Sequence, residues 1–303
     1  MLLLLILFVP KIHCMLFQKI ENPFYRKKRS LQLNGKLIQL DEPVVMGILN
    51  LTPDSFYEGS RYSMEKDILL RSEEILVSGG LIIDVGAVST RPGAAEVSEE
   101  TEMARLLPAV KAIRSHFPEA ILSVDTFRSG VVNNIYDEIG GFLVNDISGG
   151  TMDGEIFETV AKLGLPYILM HMQGTPQTMQ IHPFYVDVVK DILFDLSEKI
   201  NSLKLMGVND IIVDPGFGFG KNQRHNYELL NCLDSFRLFE LPLLVGVSRK
   251  AMIWRLLDSS PAESLNGTTV LNTLALMGGA DILRVHDVRE AVETIRLVAE
   301  LKK

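Results

Sequence analysis

Eight short apolar runs each finish on side chains able to do chemistry. Their ends carry Asn50; Asp84; Asp125; Asn145 with Asp146; His171; Asp214; Ser248, Arg249 and Lys250; and Arg284 with His286. Singly, each has an ordinary explanation. A lone aspartate after a strand caps the next helix or makes a turn, and a lone histidine is more often a hydrogen-bonded shell residue than a ligand. Eight together need another reason, because no fold requires a polar ring at one end for stability. Asp125, Asn145, Asp214 and Lys250 supply acceptors, an amide of both characters and a cation. That set suits a flat heterocycle with several N–H donors and a carbonyl. In RVHD, Arg284 and His286 stand two residues apart, on one side of a strand. Two donors on one face suit an oxyanion such as phosphate. Asn50 offers the neutral oxygen that Mg2+ prefers when phosphates bring the charge. The stretch GFGFG (216–220) lets backbone approach a ligand closely, but it lacks the spacing and the Lys-Ser/Thr of a Walker loop.

A regular alternation of elements positions these residues. Runs at 43–49, 81–86, 121–125, 142–145, 166–171, 211–214, 242–247 and 281–285 read as strands. Near-continuous apolar stretches such as LIIDVG and LPLLVGVS suit parallel strands covered on both faces. Helical patterns fill the intervals. Over 183–206, Val189, Ile192, Leu193, Leu196, Ile200 and Leu203 recur at helical spacing, with Pro183 placed to start the helix and Gly207 to end it. Ser98 reads as an N-cap ahead of Glu99 and Glu100, and the apolar face continues through Met103, Leu106, Leu107, Val110 and Ile113. Further helices are expected at 64–78, 128–139, 154–163, 226–240, 262–277 and 287–301. Eight β/α units over 41–303 predict one α/β domain, a (β/α)8 TIM barrel. A doubly wound open sheet is the alternative, weakened by the lack of a Gly-rich nucleotide turn after the first strand. Residues 1–40 form an N-terminal extension in which Tyr25–Leu40 reads as a surface segment with a small edge strand.

Composition narrows the function. The 303 residues carry 30 Lys and Arg against 38 Asp and Glu, a formal charge of −8. Nucleic acid and anionic membranes reward basic surfaces, so neither is expected as a partner. Cys14 and Cys232 lie far apart, which argues against a disulfide framework or a cysteine zinc site and fits a reducing cytoplasm. The opening run MLLLLILFVP is far shorter than the ~20 apolar residues of a membrane-spanning helix. It also lacks a signal peptide's basic start and small-residue cleavage site. An upstream start or a frayed extension is expected there, with Met15 as the translation start and export as the alternative.

MGILNLTPDSF, DVGAVSTRPGA, VDT, VNDISGG, LMHMQGTPQTM, DPGFGFGK, GVSRK and RVHDV follow one another in the order found in the dihydropteroate synthases, a pterin-binding (β/α)8 family that this chain resembles. The resemblance implies a cytoplasmic homodimer, a transferase of folate biosynthesis and a sulfonamide target. It would condense 6-hydroxymethyl-7,8-dihydropterin pyrophosphate with p-aminobenzoate, using Mg2+. It carries Asp125, Asn145, Asp214 and Lys250 onto the pterin positions, with Met170 and Phe219 completing the substrate set. Asn50, Arg284 and His286 go to the pyrophosphate and metal positions, and Thr90, Arg91, Pro92 and Ser248 to those around p-aminobenzoate. The segment LTPDSFYEGSRY would fold over the site with STRPG, bringing Asp54 or Glu58 towards a cationic intermediate and Phe56 over the methylene. Tyr57-Glu58-Gly59-Ser60 stands where relatives often have S-D-G-G, Val88 where a polar residue is common, and Ala251 where serine is frequent. Two other readings share the barrel. A pterin-binding methyltransferase would not need STRPG or the Arg284/His286 pair. A non-catalytic paralogue would have lost Lys250, Asn50 or the loop arginine.

Overall fold

The structure is a computed structural model that describes residues 30–51, 61–89 and 97–301, with the backbone alone for 61–64. Two antiparallel strands, β1 (Ser30–Leu33) and β2 (Lys36–Gln39), form a hairpin apart from the main sheet. The main sheet holds eight parallel strands: β3 (Val44–Asn50), β4 (Ile82–Gly86), β5 (Ile121–Asp125), β6 (Leu143–Asp146), β7 (Tyr167–Met170), β8 (Ile211–Asp214), β9 (Leu244–Val245) and β10 (Ile282–Val285). Neighbours follow in chain order from β3 to β8, and β10 pairs with both β3 and β9. A parallel bridge between Val213 and Leu243, with the Val213 N–H donating to Pro242 O at 2.9 Å, joins β8 to the approach of β9. The result is the TIM barrel expected from the sequence, not the open sheet.

The period of two along each strand divides its residues between two environments. Val45, Leu49, Ile83, Val85, Leu122, Val124, Val144, Leu169, Ile211, Val213, Leu283 and Val285 lie in the large core under the helices. The alternate set points into the barrel. Its lowest layer is Met46, Ile82, Leu143, Ile168, Ile212, Leu244 and Ile282, with Ile121 partly buried beside it. Leu31, Leu33 and Leu40 from the hairpin segment pack on that layer and close the bottom. The sequence reading made this segment a surface strand. Its alternation in fact turns leucines up into the barrel, while Leu37 is left exposed. Asn34, at the turn with φ +51°, exchanges two hydrogen bonds with Gly141 and pins the hairpin to the β6 entrance.

The helices largely follow the apolar periodicity. Ser98 caps Glu99–His116, its Oγ accepting from Thr101 N. Two expectations need correction. The helix expected from Pro183 runs Val188–Leu205, because Asp187, not Pro183, caps it by accepting from Lys190 N. The helix expected over 226–240 begins earlier, at Gln223, under an Asn222 capping box, and gives way after Asn231 to a 3-10 turn, Leu233–Phe239. Among the described residues no helix is long and apolar enough to cross a membrane.

The hairpin's place in the core is testable. Leu31 is fully buried, so Leu31→Ala is expected to cost about 2–5 kcal/mol in urea denaturation. A loss no larger than a surface substitution gives, about 0.5 kcal/mol, would show that the plug is not part of the cooperative unit.

Candidate active site

Above the apolar layer, the inward positions of five strands turn polar. Ile82 is followed two residues on by Asp84, Ile121 by Ser123 and Asp125, Leu143 by Asn145, Ile212 by Asp214, and Ile282 by Arg284 and His286. Register sets Asp84 beside Ser123, and Asp125 beside Asn145. Asp84 is fully buried and saturated. It accepts from Ser123 Oγ at 2.6 Å, from Asn145 Nδ2 at 3.3 Å and from Arg284 Nε at 2.7 Å. Since a carboxylate is an acceptor, it takes the NH2 side of Asn145 and leaves the amide Oδ1 turned away from Asp84. The sequence reading allowed Asn145 both characters; the structure commits its amino group. Arg284 also donates to Asp125 Oδ2 at 2.8 Å, so one guanidinium bridges two carboxylates.

These charges are held away from water, and their acidities respond. Burial pushes the Asp125 carboxyl up to about 7, against the opposing pull of Arg284. Burial also raises Asp214, opposed by Lys250 and by the Gly216 N–H, which donates to Oδ1 at 2.7 Å. Lys250 is drawn down to about 8 by burial, with Asp214 resisting. Its Nζ donates to Phe217 O at 2.5 Å and sits 4.7 Å from the centre of the Phe219 ring. Met170 and Phe219 belong with Ile147, Met172, Met179 and Phe127 to one apolar patch near this turn. His286 is lowered to about 4, first by burial and then by Arg284, and is neutral at ordinary pH. Its Nδ1 lies 3.0 Å from Ser248 Oγ, which also accepts from the His286 backbone N–H at 3.2 Å.

Not every strand-end residue reaches the mouth. Asp146 follows the inward Asn145 and so faces outward, where it accepts from Ser148 N, Gly150 N and Tyr167 Oη and holds a turn. His171 has the same outward parity and lies 3.0 Å from Lys221 Nζ, with its pKa lowered to about 2 by burial. Arg249 turns to Asp287 in a two-point ion pair. Asn50 stands exposed at the end of β3. Asp54, Phe56, Glu58, Thr90, Arg91 and Pro92 lie outside the described residues. The flanks of segment 90–96 are held by arginines, with Arg105 donating to Ala87 O at 2.9 Å and Arg128 to Val97 O at 2.5 Å. Sequence reasoning gave no role to Asp84, to Lys221 or to Arg71, whose Nη2 donates to His286 O at 2.5 Å. A signal existed for the first two: a carboxylate inside the apolar run IIDVG, and a lysine directly after five residues containing three glycines.

Comparison with known proteins agrees with this geometry. Residues 46–286 match the profile of the family described as pterin binding enzyme. The chain is 46% identical over 266 residues to the dihydropteroate synthase of Escherichia coli strain K12, covering 87% of this chain and 93% of that one. It is 40% identical to the Haemophilus influenzae dihydropteroate synthase, over 88% of this chain and 97% of the relative. Among solved structures, the Yersinia pestis dihydropteroate synthase in a sulfonamide drug complex superposes with a TM-score of 0.84 at 43% identity, covering 90% of this chain and 99% of that one. The Xanthomonas albilineans dihydropteroate synthase with 4-aminobenzoic acid gives 0.83 at 33% identity, with coverage of 90% and 98%.

The raised pKa of Asp125 has a spectroscopic consequence. Its folded value of about 7 lies above the ordinary 3.8. Its contribution to stability is therefore complete below the ordinary value and is lost as pH rises through about 7. An infrared band of a protonated buried carboxyl is expected to grow as pH falls through that value, and to vanish in Asp125→Asn. A band that persists unchanged in Asp125→Asn would assign the titration elsewhere.

Proposed function

The chain belongs to the pterin-binding enzymes and, within them, to the dihydropteroate synthases, and we propose how its barrel mouth serves their reaction. That reaction joins p-aminobenzoate to 6-hydroxymethyl-7,8-dihydropterin pyrophosphate, releasing pyrophosphate and forming 7,8-dihydropteroate for folate synthesis. The observation that carries the assignment of roles is the inward set Asp125, Asn145 and Asp214 above a sealed apolar layer. Two carboxylates and an amide oxygen accept from the ring N–H groups of the pterin. Lys250 donates to its carbonyl or ring nitrogen, and Met170 and Phe219 cover its apolar surface.

Loss of pyrophosphate leaves positive charge delocalised over the dihydropterin and its methylene, an ionising, SN1-like route. Asp125 and Asp214 favour that cation in a site of low dielectric. The departing anion falls to Arg284 and His286. Arg284 keeps N–H groups beyond those given to Asp84 and Asp125. The Ser248 hydroxyl, already accepting from the His286 backbone, directs its own proton to Nδ1 and leaves Nε2–H as a donor. Asn50 contributes a single neutral oxygen, which fits Mg2+ when phosphate and water fill the other positions, and the ion would neutralise charge on the leaving group. Thr90, Arg91, Pro92 and Ser248 are assigned to p-aminobenzoate, and Asp54 and Glu58 to the cation. An aryl amine is a usable nucleophile, so no strong base is required. The pair of far-separated cysteines supports a cytoplasmic setting.

We also propose a homodimer. Leu256 and Leu257 are exposed after the short helix Ala251–Trp254, and Val270 and Leu274 are exposed one helical turn apart on Leu265–Gly278. Leu257 lies against Gly267 of the same helix, so these side chains form one apolar surface. A second copy of the chain would cover it.

Calorimetry with free dihydropterin and with its pyrophosphate ester separates the assigned roles. Asp214→Asn is expected to weaken both ligands by ~2–3 kcal/mol. His286→Ala and chelation of Mg2+ are expected to weaken the ester while sparing the free pterin. Equal weakening of both ligands by His286→Ala would overturn the division of the site. For the dimer, sedimentation of Val270→Asp combined with Leu274→Asp is expected to give a monomer where the parent chain gives twice that mass. A variant that still sediments as a dimer would place the interface elsewhere.

A further inference from the structure

In the turn that follows Asp214, side chains meet every carbonyl from residue 216 to 220. Gly216, Gly218 and Gly220 all have positive φ, at +72°, +82° and +62°. At Gly216 a Cβ would collide with the His171 carbonyl, so the backbone lies directly on the end of β7. A chain bent in this way makes few internal hydrogen bonds; Phe219 N to Gly216 O, at 3.1 Å, is one. The remaining acceptors are met from outside the turn. Lys250 Nζ donates to Phe217 O, Gln180 Nε2 to Gly218 O at 2.7 Å, and Tyr185 Oη to Gly220 O at 2.8 Å. Lys221 Nζ donates to Gly216 O at 2.9 Å and to Phe219 O at 3.0 Å, and lies 3.4 Å from His171 O. Its fourth neighbour is His171 Nδ1 at 3.0 Å. Burial draws Lys221 down to about 7, with Asp214 resisting; as an ammonium it offers three N–H groups and accepts none, and His171 then meets it as the acceptor, with its own proton on Nε2.

We infer that Lys221 is a positioning residue of the pterin site, its buried Nζ fixing the 216–220 turn so that Phe219 and Lys250 are presented in register. The two lysines grip the same turn from different sides. Lys250 takes Phe217 O and faces the Phe219 ring; Lys221 takes the carbonyls of Gly216 and Phe219 on either side of it. A surface lysine could not do this, because water would satisfy those carbonyls as well. Lys221 is 2% exposed, so its N–H groups rather than water meet Phe219 O, and they share Gly216 O with the Phe219 N–H. The sequence order supports the same division. Asp214 begins the turn and accepts from Gly216 N, while Lys221 ends it and returns to Gly216 O. The turn is thereby closed by its own two ends, with an anionic group on the pterin side and a cationic group behind.

This inference rests on the assignment of the pterin to the barrel mouth, so the affinity of the unaltered protein for free dihydropterin is measured first. No affinity there would overturn that assignment and, with it, the positioning role of Lys221. Lys221→Met keeps the stem and removes the donors. Calorimetry well below its melting temperature is expected to show dihydropterin affinity reduced about tenfold at full stoichiometry. A purely structural lysine gives a different result: fewer competent molecules, each binding with unchanged affinity. That result overturns the inference. Where Lys221→Met does not fold, Lys221→Arg decides. The guanidinium keeps the charge but cannot set single N–H groups on both Gly216 O and Phe219 O. Its melting temperature is expected to stay near that of the parent while affinity falls about threefold; unchanged affinity overturns the inference equally.

Discussion

The barrel mouth depends on a carboxylate placed beneath it. Asp84 is fully buried and sits one layer below Asp125 and Asn145, yet it sets the orientation of three inward side chains. Such a charge is tolerable only with a good partner, and Arg284 supplies it. Because Arg284 also reaches Asp125, the guanidinium cannot rotate freely, and the Asp125 carboxylate is fixed in turn. Asn145 is oriented by the same anion. Removing Asp84 would leave Arg284 with one partner in a poorly solvated space and free the Asn145 amide to flip. These inward groups are therefore a connected network rather than separate contacts.

The network is compatible with a stable barrel because polarity is graded along the axis. The lowest inward layer is apolar and closed by the hairpin leucines, while charged side chains, Asp84, Asp214 and Arg284, begin one step up on three of the strands. The same step on the other face of each strand stays apolar under the helices. Burial thus acts on the site in two ways. It raises Asp125 and Asp214 and lowers Lys250, so each charge is costly, and it strengthens every attraction between them. A group carrying developing charge would meet dipoles and ions already in place, with little water to reorganise.

Much of this was legible in the sequence, and the remainder has identifiable causes. The eight strands, the barrel and the residues at strand ends follow from apolar runs and their spacing. Grouping strand-end residues by chemical type alone placed Asp146 and His171 with Asp125 and Asp214. The period of two already separates them: Asn145 and Asp146 cannot both point inward. The hairpin was misread as surface because four-residue strands carry little periodic signal, and its leucines find their partners in seven distant strands. The start of the helix at Val188 was missed because Pro183 is an acceptable first residue, and only the Asp187 cap decides between them. The committed amide of Asn145 was not legible at all. It depends on Asp84, 61 positions away, and on a contact that exists only once the barrel is closed.

The hairpin plug also sets a rule of traffic. With Leu31, Leu33 and Leu40 sealing the lower end, the barrel is a cul-de-sac rather than a tunnel. A molecule lying deep against Asp214 and Asn145 enters by the same opening through which everything leaves. Whatever then settles above it becomes its stopper. The deeper guest must arrive first, and it departs only after, or joined to, the one that followed it in.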